Sequence, residues 1–202
     1  MNYIVLDLEW NMPENSHRRV RSPITLNGEI IQIGAVKLDE GLDEIGEFNV
    51  KVRPVFYRKM NKRIEELTSI TGAELEYGES FEDAVGRFRE WCGDDSIMLT
   101  WGPSDKKILI ENLIMHDMTY DWIPEYFDAQ FMFDLQETME DRDFSLDYAF
   151  YYFGLKGSKA HDALNDARDT AAVIRKLDLE DFIQEEREYR KELAAEKSSF
   201  SS

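Results

Sequence analysis

The sequence predicts an α/β chain with a mixed central sheet flanked by helices. Three observations point there. The chain opens with three strand-like runs divided by turn signals. Helical and strand-like segments then alternate. Apolar content is high, 43% hydrophobic and 12% aromatic, enough to build a large core.

The first strand is Tyr3-Ile4-Val5-Leu6-Asp7-Leu8-Glu9-Trp10, whose apolar, partly β-branched start reads as buried. Side chains alternate faces along a strand, so Asp7 and Glu9 point one way and Leu8 the other. Two like charges at a strand end repel, and a cation between them relieves the repulsion. The plainer reading is a strand running into an acidic turn, which so acidic a chain also produces by chance. Asn11-Met12-Pro13-Glu14-Asn15-Ser16 is a loop by composition and runs on to the turn signal Asn27-Gly28. Residues 29–38 form a second strand and residues 45–52 a third, ending at Pro54, most simply as an antiparallel meander.

A short helix is expected over 61–67, closed by Thr68-Ser69-Ile70-Thr71-Gly72. Ser80, with Asp83 three residues on, is a near capping box for a helix over 81–92. Phe81, Ala84, Val85, Phe88 and Trp91 give that helix its apolar face. Residues 97–101 are a short buried strand broken by Gly102-Pro103-Ser104, with Ser104 placed to cap a helix from Asp105. Another strand is expected over 131–135, a helix over 146–153 ending at Gly154, and a helix over 163–177. Residues 178–197 read as a charged helix and residues 198–202 as a frayed end. The domain reading is one unit over 1–180, with a charged helix and tail over 181–202.

With 202 residues, one domain with an appended helix is the natural size. The net charge of −18 argues against holding long nucleic acid on a broad basic surface. It does not exclude an enzyme that grips one phosphate at a time. The bases are clustered, in a group at His17, Arg18, Arg19 and Arg21 and another at Lys51, Arg53, Arg58, Lys59, Lys62 and Arg63. Each group can touch a phosphate backbone or be ordinary solvated surface. No apolar run approaches the roughly 20 residues that cross a bilayer, and the first residues lack the marks of a signal peptide. The single cysteine, Cys92, reads as a small buried hydrophobe in a reducing compartment, so a cytoplasmic protein without membrane contact is expected.

Two further acids stand out. Asp105 follows a strand where the chain turns into a helix, the place where open α/β sheets bind ligands; it can equally serve only to favour the helix N-terminus. Asp166 lies in His161-Asp162-Ala163-Leu164-Asn165-Asp166. On a regular helix five residues turn by about 500°, leaving His161 and Asp166 roughly 140° apart. They share a site only if His161 lies on the preceding loop, for which Gly154, Gly157 and Ser158 give room. Ala163, Ala167 and Ala171 let the helix pack closely on the sheet. Among three histidines, His161 stands before a carboxylate-bearing helix, and histidine is the side chain suited to general-base work near neutral pH.

Asp7-x-Glu9, Asp105, and His161 with Asp166 resemble the signature of the DEDDh 3′–5′ exonucleases. Glu29-Ile30-Ile31-Gln32-Ile33-Gly34-Ala35 is similar to that family's second strand, Leu67-Thr68-Ser69-Ile70-Thr71-Gly72 to its threonine–glycine segment, and Ser145-Leu146 with residues 161–167 to its final motif. The resemblance covers roughly residues 3–177 and implies a ribonuclease H-like fold. It implies that Asp7, Glu9 and Asp166 hold a first Mg²⁺ or Mn²⁺, and that Asp7 also reaches a second ion supported by Asp105. By the same resemblance His161 is the general base, and the substrate is single-stranded RNA or DNA with a free 3′ end. Where many members have a small pair such as Thr-Gly after the first acids, this chain has Trp10-Asn11. Substrate contacts are expected at Trp10, Asn11, Arg18 and Arg19. The long insertion over 12–23 resembles the Eri-like RNA exonucleases and the related bacterial sporulation-inhibitor proteins, which favours RNA. Two other readings stay open, a regulatory protein acting through a protein partner and a proofreading subunit of a polymerase.

Overall fold

The apolar β1 (Asn2–Asn11) lies at the centre of a five-stranded sheet in the order β3-β2-β1-β4-β5. In this computed structural model β2 spans Glu29–Leu38, β3 Glu44–Lys51, β4 Ser96–Thr100 and β5 Glu125–Asp128. Residues 1–139, 143–157 and 161–199 are described, without the side chains of 198 and 199. β1 pairs antiparallel with β2, and β2 with β3, as a meander; β1 pairs parallel with β4, and β4 with β5. The sheet is therefore mixed, as expected.

The alternation of β1 sorts the core into two layers. Ile4, Leu6 and Leu8 face α3 (Phe81–Cys92) and α4 (Ser104–Met115), burying Phe81, Val85, Phe88, Ile108 and Leu109. Tyr3 and Val5 face the other way, against Ala171 and Ile174 of α7 (Ala163–Ile174) and Leu179, Phe182 and Ile183 of α8 (Leu179–Ser199). Asp7 and Glu9 continue this second face. Shorter helices complete the described chain: α1 (Lys62–Thr68), α2 (Gly72–Leu75), α5 (Ala129–Phe133) and α6 (Leu146–Phe153). Cys92 is buried and unpaired, and burial pushes its thiol up to about 12.

Three expectations need correction. Residues 131–135 are not a strand: they fall at the end of α5 and in the π-helical turn Asp134–Thr138. An apolar run this short suits either state, and the Asp128 side chain decides it by accepting from Gln130 N and Phe131 N as an N-cap. The fifth strand is the preceding Glu125–Asp128. Ser104 does not cap α4; the N-cap is Pro103, with no side-chain bond. Thr71 and Gly72, read as the end of the segment closing the preceding helix, instead cap and start α2 on a complete Thr71–Glu74 capping box. Of the tail expected over 198–202, the first two residues continue α8, and residues 200–202 lie outside the described residues, as does Ser158.

Candidate active site

β1 pairs with β4 only from Asn2 to Val5, so its far half runs on beside a gap. Leu8 N–H donates to Asp105 Oδ1 at 2.9 Å. That bond fixes the start of α4 against β1 and carries Asp105, only 5% exposed, to the strand end. Gly102, at φ 84, makes the turn between β4 and α4 in the left-handed region that glycine enters without strain.

The N-terminus of α7 arrives from the opposite side. Gln32 on β2 accepts from Ala163 N through Oε1 at 3.3 Å and donates to Asp162 Oδ2 through Nε2 at 3.4 Å. Asp162 caps the helix by accepting from Asn165 N. Gly34, paired with Asp7 in the sheet, makes the approach possible. A Cβ there would stand 2.2 Å from the backbone of Ala163 and Leu164, so any side chain would push α7 away. The helix thus lies against the backbone beside Asp7. Asp166, in its first turn, joins the acids of β1.

His161 lies before the helix at φ 63, as the sharing of a site with Asp166 requires. Its N–H donates to Asp166 Oδ2 at 2.9 Å. Glu9, His161 and Asp166 each offer a ligand atom, all within 4.8 Å of one another. The structure thus brings Asp7, Glu9, Asp105, His161 and Asp166 to a single cavity of about 600 Å³.

The electrostatics follow from four carboxylates sharing little solvent. Burial, then Asp105 and Asp166, hold the Asp7 carboxyl well above the ordinary range. Burial with Asp166 and Asp105 pushes Glu9 to about 8. Burial pushes Asp105 to about 7, although the Leu8 N–H pulls it back. Burial also raises Asp166, against the His161 N–H. Among the described residues no lysine or arginine is ion-paired with any of the four. The donor set is hard oxygen plus one imidazole, exposed at the rim, which suits Mg²⁺ or Mn²⁺ better than zinc.

Trp10 lines the same cavity while its ring lies over Gly28, where a Cβ would meet the indole at 2.2 Å. Trp10 thus packs on the loop at Gly28 and borders the cavity with the same side chain. Asn11 does not reach the cavity. It is fully buried, donates to the carbonyls of Tyr57 and Lys59, and accepts from Asn61 N. Arg19 donates to Asn27 Oδ1 instead. Arg18 lies in a separate cavity with Arg58 and Lys59. Sequence reasoning passed over Asn61, Arg63, Trp101 and Asp147, which line the acid cavity. The basic group around Arg63 was visible, but its position was not.

Comparison with known proteins agrees with this geometry. The RNase_T family, described as Exonuclease, matches residues 4–174. The probable 3′-5′ exonuclease KapD of Bacillus subtilis is 29% identical over 177 residues, covering 86% of this chain and 82% of that protein. The nuclease domain of 3′hExo, a DEDDh family member bound to rAMP, superposes with a TM-score of 0.76 at 18% identity, covering 87% of this chain and 90% of that one. Escherichia coli exonuclease I in complex with a dA16 oligonucleotide gives 0.68 at 16% identity, covering 86% and 40%. Exonucleases of this kind generally use a divalent metal. The chain belongs to the RNase_T exonuclease family, among the DEDDh-type 3′–5′ exonucleases of ribonuclease H-like fold, hydrolases of the nucleic-acid phosphodiester bond.

Proposed function

We propose that this enzyme removes nucleotides one at a time from the 3′ end of single-stranded nucleic acid, RNA in preference to DNA, releasing nucleoside 5′-monophosphates with two Mg²⁺ or Mn²⁺ ions. One observation carries the reading: Asp7, Glu9, Asp105 and Asp166 converge, with no lysine or arginine ion-paired to them among the described residues, on a cavity whose about 600 Å³ suits one nucleotide. So many carboxylates in one place are stable together only when protonated or when cations lie among them. Asp7, Glu9 and Asp166 would hold one ion, and Asp7 with Asp105 would support the second. When bound, such a pair of ions polarises the phosphate and neutralises the leaving oxygen.

The chain's own residues do the remaining work. His161, anchored by its backbone to Asp166, takes the proton from the attacking water at an imidazole nitrogen. Met12, Ile64, Leu67 and Leu146 give the cavity an apolar wall for the terminal base. Trp10 offers an aromatic face beside it. Support for RNA is the rAMP of 3′hExo and the insertion over 12–23; the DNA oligonucleotide of exonuclease I supports the other sugar.

The test uses matched RNA and DNA strands labelled at the 5′ end, with Mg²⁺, Mn²⁺ or chelator. Expected are ladders that shorten one nucleotide at a time, faster for RNA, and silence in chelator. Circular single strands should survive. Cutting of circles at the linear rate would show an endonuclease and overturn the reading.

A further inference from the structure

A second cavity, about 470 Å³, lies beside the acid site and faces the opposite charge. Its lining includes three bases, Arg18, Arg58 and Lys59, and one acid, Glu14. The linings of the two cavities draw on adjacent positions of the same two stretches: Met12 and Asn61 line the first, Pro13 and Lys59 the second. Residues 16–28 and 49–64 contain no aspartate or glutamate, in a chain with 42 acids. Nine of the 24 lysines and arginines fall in these two stretches, which the fold brings together. Tyr57 makes that junction, its hydroxyl accepting from Val20 N and donating to Leu26 O.

The wall carrying these bases is clamped from beneath. Glu29, 2% exposed, accepts from the backbone N–H groups of Val55, Phe56 and Tyr57. Asn11 holds Tyr57, Lys59 and Asn61 as described above. Two buried side chains, from the end of β1 and the start of β2, thus fix residues 55–61 in place. Lys59 is paired with Glu14. Arg58 is exposed and donates through its Nε to Val55 O. Among the described residues Arg18 and Arg58 are exposed and form no ion pair with an acid, and the exposed Arg63 lines the acid cavity.

We infer that this second cavity is a phosphate track, in which Arg18 and Arg58 bind the sugar–phosphate backbone of the nucleotides that precede the 3′-terminal one. This rests on the proposed function and specifies the substrate: a strand several nucleotides long, held outside the acid site by charge and not by sequence. Guanidinium groups suit phosphate because their donors match two oxygens at once. Such contacts do not select bases. They also reconcile a net charge of −18 with a polyanionic substrate, since attraction is needed only along one narrow path.

The test separates the two sites. Thymidine 5′-monophosphate p-nitrophenyl ester reports the acid site alone; a series of single strands from dinucleotide to decanucleotide reports the track. For the wild type, KM should fall as strands lengthen over the first few nucleotides. In Arg58→Gln the ester rate should persist while the gain with length shrinks, and adding Arg18→Gln should abolish it. For single strands each lost phosphate contact lowers the slope of log affinity against log salt by about 0.7, so the double variant should lose about 1.4. Fluorescence anisotropy of a labelled decanucleotide in chelator gives that slope without turnover. Unchanged length dependence and salt slope in the double variant would overturn the track. Absence of ester hydrolysis in the wild type would instead count against the acid site, and the anisotropy result would still decide the track.

Discussion

Two groups of buried carboxylates in this molecule have opposite fates. Glu29, at the start of β2, receives three backbone N–H donors from residues 55–57, with Phe56 N at 2.8 Å. Burial still raises its carboxyl, but the three donors pull it back. Asp7 and Glu9, on the neighbouring strand, have no such shell. Burial and then the charges of Asp105 and Asp166 dominate, and among the described residues the Leu8 N–H to Asp105 and the His161 N–H to Asp166 are the backbone donors that reach the group. A carboxylate that serves structure is surrounded by donors from its own chain. One left short of donors in a cavity is open to a ligand that brings positive charge.

Substitution should separate the two kinds sharply. Asp7→Asn should abolish nuclease activity, yet raise the melting temperature of the metal-free protein, because it removes a carboxyl that ionises freely in the unfolded chain and only at a cost in the folded one. Activity and melting should be measured on the same preparation; wild-type turnover would remove Asp7 from the site. His161→Ala should lower turnover by roughly 10²–10⁴-fold, the usual weight of a general base. Its affinity for Mn²⁺, read by calorimetry, should change little. A collapse of metal affinity with this variant would make the imidazole a ligand instead.

Glu29→Ala should behave in the opposite way to Asp7→Asn. It strands three backbone donors, each costing about 1–3 kcal/mol, so stability should fall by about 3 kcal/mol or more in urea unfolding. A loss below about 1 kcal/mol would mean that the 55–57 segment is held by something other than this carboxylate.

The mildest contrast is one of pH. A carboxyl whose folded pKa lies above its unfolded value stabilises the fold while protonated. That contribution is complete below the unfolded value and is lost as pH rises through the folded one. For Glu9 the window runs from 4.5 to about 8, and for Asp105 from 3.8 to about 7. The metal-free protein in chelator should therefore melt at progressively lower temperature from about pH 5 to about pH 8, by about 2–4 °C per kcal/mol lost. Excess Mn²⁺ should flatten that slope. A melting temperature that climbs through the same range in chelator would show the acids to be paired with bases after all.

Much of this was legible beforehand, for physical reasons. β1, β2 and α3 have long, unambiguous periods, and alternation alone placed Asp7 and Glu9 together on one face. The need for His161 to lie off the helix followed from helical geometry. What stayed hidden depends on tertiary contact. Asn11 sits two residues after Glu9 and read as part of the site, but residues 57–61 supply partners that no local pattern announces. β5 is a four-residue edge strand of mixed polarity, too short to show a period, whereas its neighbour Phe131-Met132-Phe133 was apolar enough to mimic one. Gly34 was visible as a glycine in a strand, but the helix it admits is distant in sequence.

That close seat of α7 on Gly34 also sets an order of events. A chain made from its N-terminus presents β1 early and α7 late. Asp166 reaches Asp7 and Glu9 only when α7 settles against β2, and His161 is carried in by the same step. Until residues 161–166 have been made, Asp7, Glu9 and Asp105 lack their two remaining partners. The site is therefore completed in one step, by the docking of α7.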